Sequence, residues 1–251
     1  MTTGLTLGKF APLHAGHQHV IETARREMDR VILLVYDAPS VTRIPLSVRA
    51  TWVREIYPDV EVIEARGARE DSGYTRVIMD AHERFLGSIL GGRRIDAFYS
   101  SEPYGEHVSR FLGCVNRQVD GSRVANAVSG SAIRADLRPH LDSLHSIVRA
   151  DVIPRIVLLG GPSTGKSTAA EALAARLGEP VCPEYGRDYW FAHQVDHRLS
   201  MFDLETIARE QVHLEHTIAT RANRWVVSDT SPLTTLAIAS GRRSDDAYST
   251  A

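Results

Sequence analysis

The chain has 251 residues, 43% hydrophobic and 24% charged, proportions of an ordinary globular protein of one large or two modest domains. Its formal charge of −2 gives no electrostatic case for a nucleic-acid partner. Two cysteines, Cys114 and Cys182, without metal-ligand or redox spacing, fit a reducing, cytoplasmic setting.

Strands and helices are predicted to alternate. A strand over Leu5–Phe10 leads to a helix over Gly16–Met28 that carries Val20, Ala24 and Met28 on one face. Further strands are predicted at Val31–Tyr36, Val60–Glu64, Asp96–Ser100 and Cys114–Val119. Helices fall between them at Leu46–Tyr57, Thr75–Leu90 and Pro103–Leu112, the second with Ile78, Ala81, Phe85 and Ile89 on one face. This alternation implies a parallel, doubly wound sheet whose ligands bind beyond the carboxyl ends of its strands. A connector follows Arg138-Pro139, and the domain boundary is placed near residue 150, giving domains 1–150 and 151–251. In the second, Ile156–Leu159 reads as a buried strand, then a helix carrying Ala170, Leu173, Ala174 and Leu177 that stops at Gly178. A short strand, Val181-Cys182, a helix near Asp203–Thr220 and a strand Trp225–Asp229 complete the pattern. Neither a signal peptide nor a membrane span is expected, because the first strand begins at once and no apolar run approaches roughly 20 residues.

Gly8-Lys9-Phe10-Ala11-Pro12-Leu13-His14-Ala15-Gly16-His17 lies where the first strand hands over to the first helix. Glycines there admit a close backbone approach, and a helix N-terminus offers free N–H groups and a positive dipole end to phosphate. His14 and His17 are too close together, and too poor in carboxylate or thiol neighbours, to close a metal site alone. They suit electrostatic work: in an attack on the α-phosphorus of ATP, charge grows on the phosphoryl oxygens and pyrophosphate, and preset donors lower the barrier.

The second phosphate-handling motif is Gly160-Gly161-Pro162-Ser163-Thr164-Gly165-Lys166-Ser167, followed by Thr168. It has the P-loop spacing, with a strand before and a helix after. Its backbone cradles phosphates, Lys166 reaches the terminal ones and the Ser167 hydroxyl ligates Mg2+. Asp229, at a strand end, orders the metal, holds a substrate hydroxyl or merely ends a turn. Glu184 in Pro-Glu-Tyr-Gly-Arg is a candidate to accept the proton of a substrate hydroxyl, and Arg187 to meet phosphate charge; a surface salt bridge is the alternative for both.

The opening motif resembles the signature of the nucleotidylyltransferase superfamily. That superfamily's second signature is matched by Val128-Ser129-Gly130-Ser131-Ala132-Ile133-Arg134. Ser131 is expected to cap a helix, with Arg134 in its first turn aimed at the β- and γ-phosphates. An adenylyltransferase domain followed by a P-loop kinase domain resembles the bifunctional NadR-type family, nicotinamide-nucleotide adenylyltransferase plus ribosylnicotinamide kinase. Ile44-Pro45-Leu46-Ser47-Val48-Arg49, Ser100-Ser101-Glu102-Pro103-Tyr104-Gly105 and Glu184-Tyr185-Gly186-Arg187 carry the resemblance further, from residue 4 to about residue 240.

What the resemblance implies is a Rossmann-like nucleotidylyltransferase domain before an incomplete P-loop kinase domain, with ATP, nicotinamide mononucleotide and nicotinamide riboside as small-molecule partners. Tyr104 and Asp120-Gly121-Ser122-Arg123 would lie near the nucleotides, and Trp52 stacks on a ring or fills the core. A homo-oligomer is left open. The alternatives are an adenylyltransferase for another phosphorylated acceptor, such as phosphopantetheine or flavin mononucleotide, and a nucleotide-sensing module. Some family members carry an N-terminal helix-turn-helix; with seven residues before Gly8, none is expected here, nor DNA regulation. The family's later strands and lid are expected after Asp229, where the polar tail Gly241–Ala251 offers neither. The kinase half is therefore expected to be truncated and impaired.

Overall fold

The computed structural model describes residues 1–67, 75–121, 128–161, 163–196 and 198–237. Ser122, Arg123 and the tail Gly241–Ala251 lie outside the described residues. The chain divides into two compact units, Met1–Val148 and Arg149–Ala251.

The first unit alternates β1 (Thr3–Gly8), α1 (Ala15–Glu27), β2 (Arg30–Tyr36), α2 (Leu46–Ile56), β3 (Glu61–Ala65), α3 (Arg76–Leu90), β4 (Ala97–Ser100), α4 (Gly105–Leu112) and β5 (Val115–Gln118). A short helix α5 (Gly130–Ala135) and a 3-10 helix (Arg138–Ser143) follow. The five strands are all parallel, in the order β3-β2-β1-β4-β5. Val31, Ile32, Leu33, Leu34 and Val35 of β2 are at most 3% exposed, as a strand covered on both faces requires. Leu5, Ile32, Leu34 and Phe98 pack with Leu86 and Leu90 of α3 in one core. Each such buried side chain stabilises the fold by about 1.5–3 kcal/mol. The chain leaves β1 for β2 and β3 on one side, then returns to β4 on the other. The switch point, where such sheets open a crevice, therefore falls between β1 and β4.

The second unit holds β6 (Arg155–Val157), α7 (Lys166–Leu177), β7 (Val181–Cys182), α8 (Tyr185–His193), α9 (Met201–Ala219) and β8 (Val226–Ser228), with α6 (Ser146–Val152) leading in. Its described strands are parallel in the order β6-β8-β7. Val226 and Val227 are fully buried on opposite faces of central β8. Val226 packs with Ala150, Ile153, Cys182, Ala219 and Ala222, and Val227 with Ala170 and Ala174 of α7. Among the described residues, no helix is long and apolar enough to cross a membrane.

Several expectations need correction. α1 begins at Ala15, and His14 is its N-cap. α5 is capped by Ser129, whose Oγ accepts from Ala132 N at 3.2 Å; Ser131 lies inside the helix and Arg134 in its last turn. β6 stops at Val157 and Leu159 is 68% exposed; among the described residues β6 pairs with β8 alone. Trp52 is 1% exposed on the inner face of α2 beside Ala50 and Val53. It is a core residue with no face to offer a ligand ring. Helix α8 has no counterpart among the predicted elements.

Candidate active site

A cleft of about 600 Å3 opens at the switch point of the first sheet. Its walls are the carboxyl end of β1 (Gly8, Lys9, Phe10), the start of α1 (His14, Gly16, His17), the segment after β4 (Ser100, Glu102, Tyr104) and the start of α5 (Ser131, Arg134).

The α1 cap sets the imidazoles. Gly16 N donates to His14 Nδ1 at 3.2 Å, and His14 N donates to His17 Nδ1 at 3.4 Å. Both Nδ1 atoms act as acceptors, which leaves Nε2 of each ring as the proton-bearing nitrogen. The rings stack with centroids 3.8 Å apart, and Phe10, at φ 46°, sets its ring edge-on to His17 at 4.9 Å. Gly8 leaves room for that ring: a Cβ there would stand 3.2 Å from Phe10 Cζ. Burial foremost, then the charges of His14 and Arg134, hold the His17 pKa well below the usual histidine value. His17 is thus a neutral donor at pH 7.

Arg134 comes back to this point from 123 residues away. Its Nη1 donates to Ala11 O at 2.7 Å and its Nη2 to Ser131 Oγ at 3.0 Å. Gly130 shows how closely these groups gather. A Cβ added there would stand 3.1 Å from Arg134 Nη1 and 3.9 Å from His14 Nε2. The fixed charge of Arg134 and the neutral N–H donor of His17 therefore face one side of the cleft. Tyr104 leans its hydroxyl toward Leu7 O at 3.4 Å, and Asp120 lines the same space with φ 50°.

Sequence reasoning assigned no role to Arg49. It is 1% exposed and donates to the backbone carbonyls of Lys9, Tyr36 (2.8 Å) and Ile44 (3.1 Å). It ties the ends of β1 and β2 together beneath the cleft. The signal was an arginine on the face of α2 shared by Leu46, Ala50 and Val53. The α3–α4 wall carries a further polar pair, Glu83 Oε1 and His107 Nε2, 3.3 Å apart.

The second unit gathers its candidates at the carboxyl ends of β6, β7 and β8. Gly165, at φ 85°, caps α7 in a conformation that disfavours a side chain. Lys166 Nζ donates to Gly161 O at 2.7 Å, curling over the loop that begins at Gly160. Thr168 is exposed in the first turn of α7. Arg187 Nη2 lies 2.7 Å from Ser167 Oγ, 3.0 Å from Glu184 Oε2 and 3.3 Å from Asp229 Oδ2. Asp229 is 3% exposed, and its Oδ1 has no hydrogen-bond partner among the described residues. A hydroxyl and a carboxylate with a spare buried oxygen fit Mg2+, which takes one or two carboxylates and completes its shell with water and phosphate. Among the described residues, no group of three or more His, Cys, Asp or Glu gathers to hold a metal by itself.

The turn carrying Glu184 is held from α9. Gln211, 1% exposed, accepts from Tyr185 N at 2.8 Å and donates to Pro183 O at 3.2 Å. Both neighbours of Glu184 are thereby pinned.

A doubly wound parallel sheet with a cleft at its switch point, joined in one chain to a unit that carries a P-loop motif, defines a two-domain α/β protein. The chain belongs to the cytidylyltransferase-like family, which matches residues 5–136; residues 155–249 match the AAA domain. It is 26% identical over 260 residues to the trifunctional NAD biosynthesis/regulator protein NadR of Escherichia coli (strain K12), which covers 94% of this chain and 62% of the relative. The protein of the same name from Salmonella typhimurium (strain LT2) is 26% identical, with 93% and 61% covered. The chain thus spans about three fifths of the length of these curated relatives. Two crystal structures share its fold. NadR protein in complex with NAD and AMP-PNP has a TM-score of 0.66 at 23% identity, with 93% of this chain and 70% of that chain covered. NadR protein in complex with NR has a TM-score of 0.69 at 22% identity, with 93% and 69% covered.

Proposed function

We propose that the chain makes NAD: its first domain, residues 1–150, transfers AMP from ATP to nicotinamide mononucleotide and releases pyrophosphate. The observation that carries this reading is the approach of His14 Nε2 and Arg134 Nη1 to the same glycine, Gly130, at the mouth of β1. A phosphate oxygen of the acceptor is already anionic and attacks the α-phosphorus without a protein nucleophile. Arg134 supplies fixed charge for the triphosphate tail, and its fork matches phosphate oxygens. The Nε2–H groups of His14 and His17 donate as charge grows on the phosphoryl oxygens. A neutral His17 needs no proton transfer; it acts as a preset dipole. The relatives' name supports the assignment to NAD biosynthesis, and the family supports nucleotidyl transfer.

The second domain, residues 151–251, we read as a P-loop kinase for nicotinamide riboside, phosphorylating its 5′-hydroxyl. Lys166 and the loop backbone hold the ATP phosphates. Glu184 is placed to take the hydroxyl proton through the carboxylate oxygen that Arg187 leaves free, and Arg187 to meet phosphate charge. Ser167 and Asp229 would hold Mg2+, which supplies charge neutralisation of the β- and γ-phosphates when bound. The unpartnered Oδ1 of Asp229 supports that placement.

Incubation with ATP, Mg2+ and nicotinamide mononucleotide, followed by mass spectrometry, tests the first reading: NAD and pyrophosphate are the expected products. Product from phosphopantetheine or flavin mononucleotide in its place would move the assignment to another acceptor. ATP binding without any product would leave a sensor. Nicotinamide riboside in the same assay tests the second domain.

A further inference from the structure

The three oxygens around Arg187 come from three different strand ends. Ser167 follows the loop after β6, Glu184 follows β7 and Asp229 follows β8. All three meet one nitrogen, Nη2, at 2.7, 3.0 and 3.3 Å. That nitrogen carries two hydrogens, so at least one of them is shared between two of the three acceptors. A fourth oxygen, Asp229 Oδ1, is buried beside them without a partner among the described residues. The side chain of Asp229 is 5% exposed and that of Arg187 48%. The acceptors are built into the fold, and the cation among them is the part free to leave.

We propose that Ser167 Oγ, Glu184 Oε2 and Asp229 form a divalent-cation site in which Arg187 is the resting occupant, displaced when a metal–nucleotide complex binds. This rests on reading the second unit as a phosphate-loop kinase and extends it by giving Glu184 a cation-facing oxygen. A divalent ion accommodates six oxygen ligands, so it can take up Asp229 Oδ1, which the guanidinium leaves without a partner among the described residues, as well as the three oxygens that share Nη2. The displaced guanidinium sits on the third residue of α8 and swings toward solvent, where the nucleotide phosphates arrive.

Mn2+ is the probe, followed by electron paramagnetic resonance of the free ion with the full chain and no nucleotide. Wild type is expected to bind it weakly, because a positive charge already occupies the site. Arg187→Gln is expected to bind about tenfold more tightly or better, and Arg187→Lys to stay near wild type. Adding Asp229→Asn to Arg187→Gln should abolish the gain. Arg187→Gln binding no better than wild type would overturn the proposal, as would a gain that survives Asp229→Asn. Circular dichroism checks folding. Should Arg187→Gln fail to fold, wild type still decides: tight nucleotide-free binding that Asp229→Asn removes contradicts a resident guanidinium, and Mn2+ uptake only with AMP-PNP supports it. AMP-PNP titration of wild type against Lys166→Ala tests the phosphate-loop reading separately.

Discussion

Replacing His17 by alanine removes one Nε2–H donor and leaves Arg134 and His14 in place. Losing one preset donor to a developing oxyanion costs about 3 kcal/mol. At 1.36 kcal/mol per tenfold, kcat for NAD formation should fall roughly 150-fold. The ground state loses less, because the triphosphate keeps Arg134, His14 and the α1 N-terminus; AMP-PNP affinity should stay within about threefold. Stability also changes modestly. The cap bond from His14 N is long at 3.4 Å, and alanine also removes the edge-on packing of Phe10 against the imidazole at 4.9 Å. Together they are worth about 1–2 kcal/mol, a melting shift of roughly 2–8 °C for a chain of this size. Initial rates at saturating ATP and nicotinamide mononucleotide, an AMP-PNP titration and a thermal melt measure the three quantities. A kcat within threefold of wild type would refute the reasoning. So would a loss of nucleotide affinity as large as the loss of kcat, since His17 would then be a binding residue.

Gly130→Ala should separate stability from turnover: alanine favours the first turn of α5 by up to about 1 kcal/mol, yet its Cβ meets Arg134 Nη1 at 3.1 Å, so melting temperature holds or rises while kcat/KM falls. Lys166→Ala should lower AMP-PNP stoichiometry in calorimetry from two sites per chain to one; an unchanged stoichiometry would remove the second nucleotide site. Gln211→Leu strands Tyr185 N–H and Pro183 C=O in the interior, so scanning calorimetry should show a loss of about 2–4 kcal/mol; a neutral result would mean the turn at Glu184 holds itself. His17 also makes stability depend on pH. Its folded pKa lies below the unfolded value of 6.5, so the unfolded chain binds more protons in between, and stability falls as pH drops below about 6.5. The melting difference between pH 7.5 and 5.5 should shrink in His17→Asn; an unchanged difference assigns the effect elsewhere.

The first sheet was legible because its strands are short apolar runs between amphipathic helices. Val31 to Val35 is buried on both faces and allows no other reading. The Gly8–His17 segment was legible as a phosphate site because its residue types and its place at a strand end agree. What escaped depends on interactions distant in sequence. Pro183-Glu184-Tyr185-Gly186-Arg187 shows no helical period, because proline and glycine interrupt it; α8 nevertheless starts there, with Gln211, 26 residues on, taking up Tyr185 N. Ser129 and Ser131 are both good caps, and only the fold decides that Ser129 takes the role while Ser131 serves Arg134. In α3, Phe85 and Ile89 of the expected stripe do pack against the core, but Leu86 and Leu90, outside that stripe, are the residues buried in it, and Met79, His82 and Glu83 line the cleft. Trp52 carries no local mark distinguishing a ring that stacks on ligand from one that fills the core; its 1% exposure answers that.

The most direct test is a crystal structure of the chain with a non-hydrolysable α,β-methylene ATP in the first unit. The account predicts that His14 Nε2, His17 Nε2 and the Arg134 guanidinium all lie within about 2.7–3.2 Å of oxygens of one triphosphate. A triphosphate held elsewhere, or met by only one of the three, would contradict it.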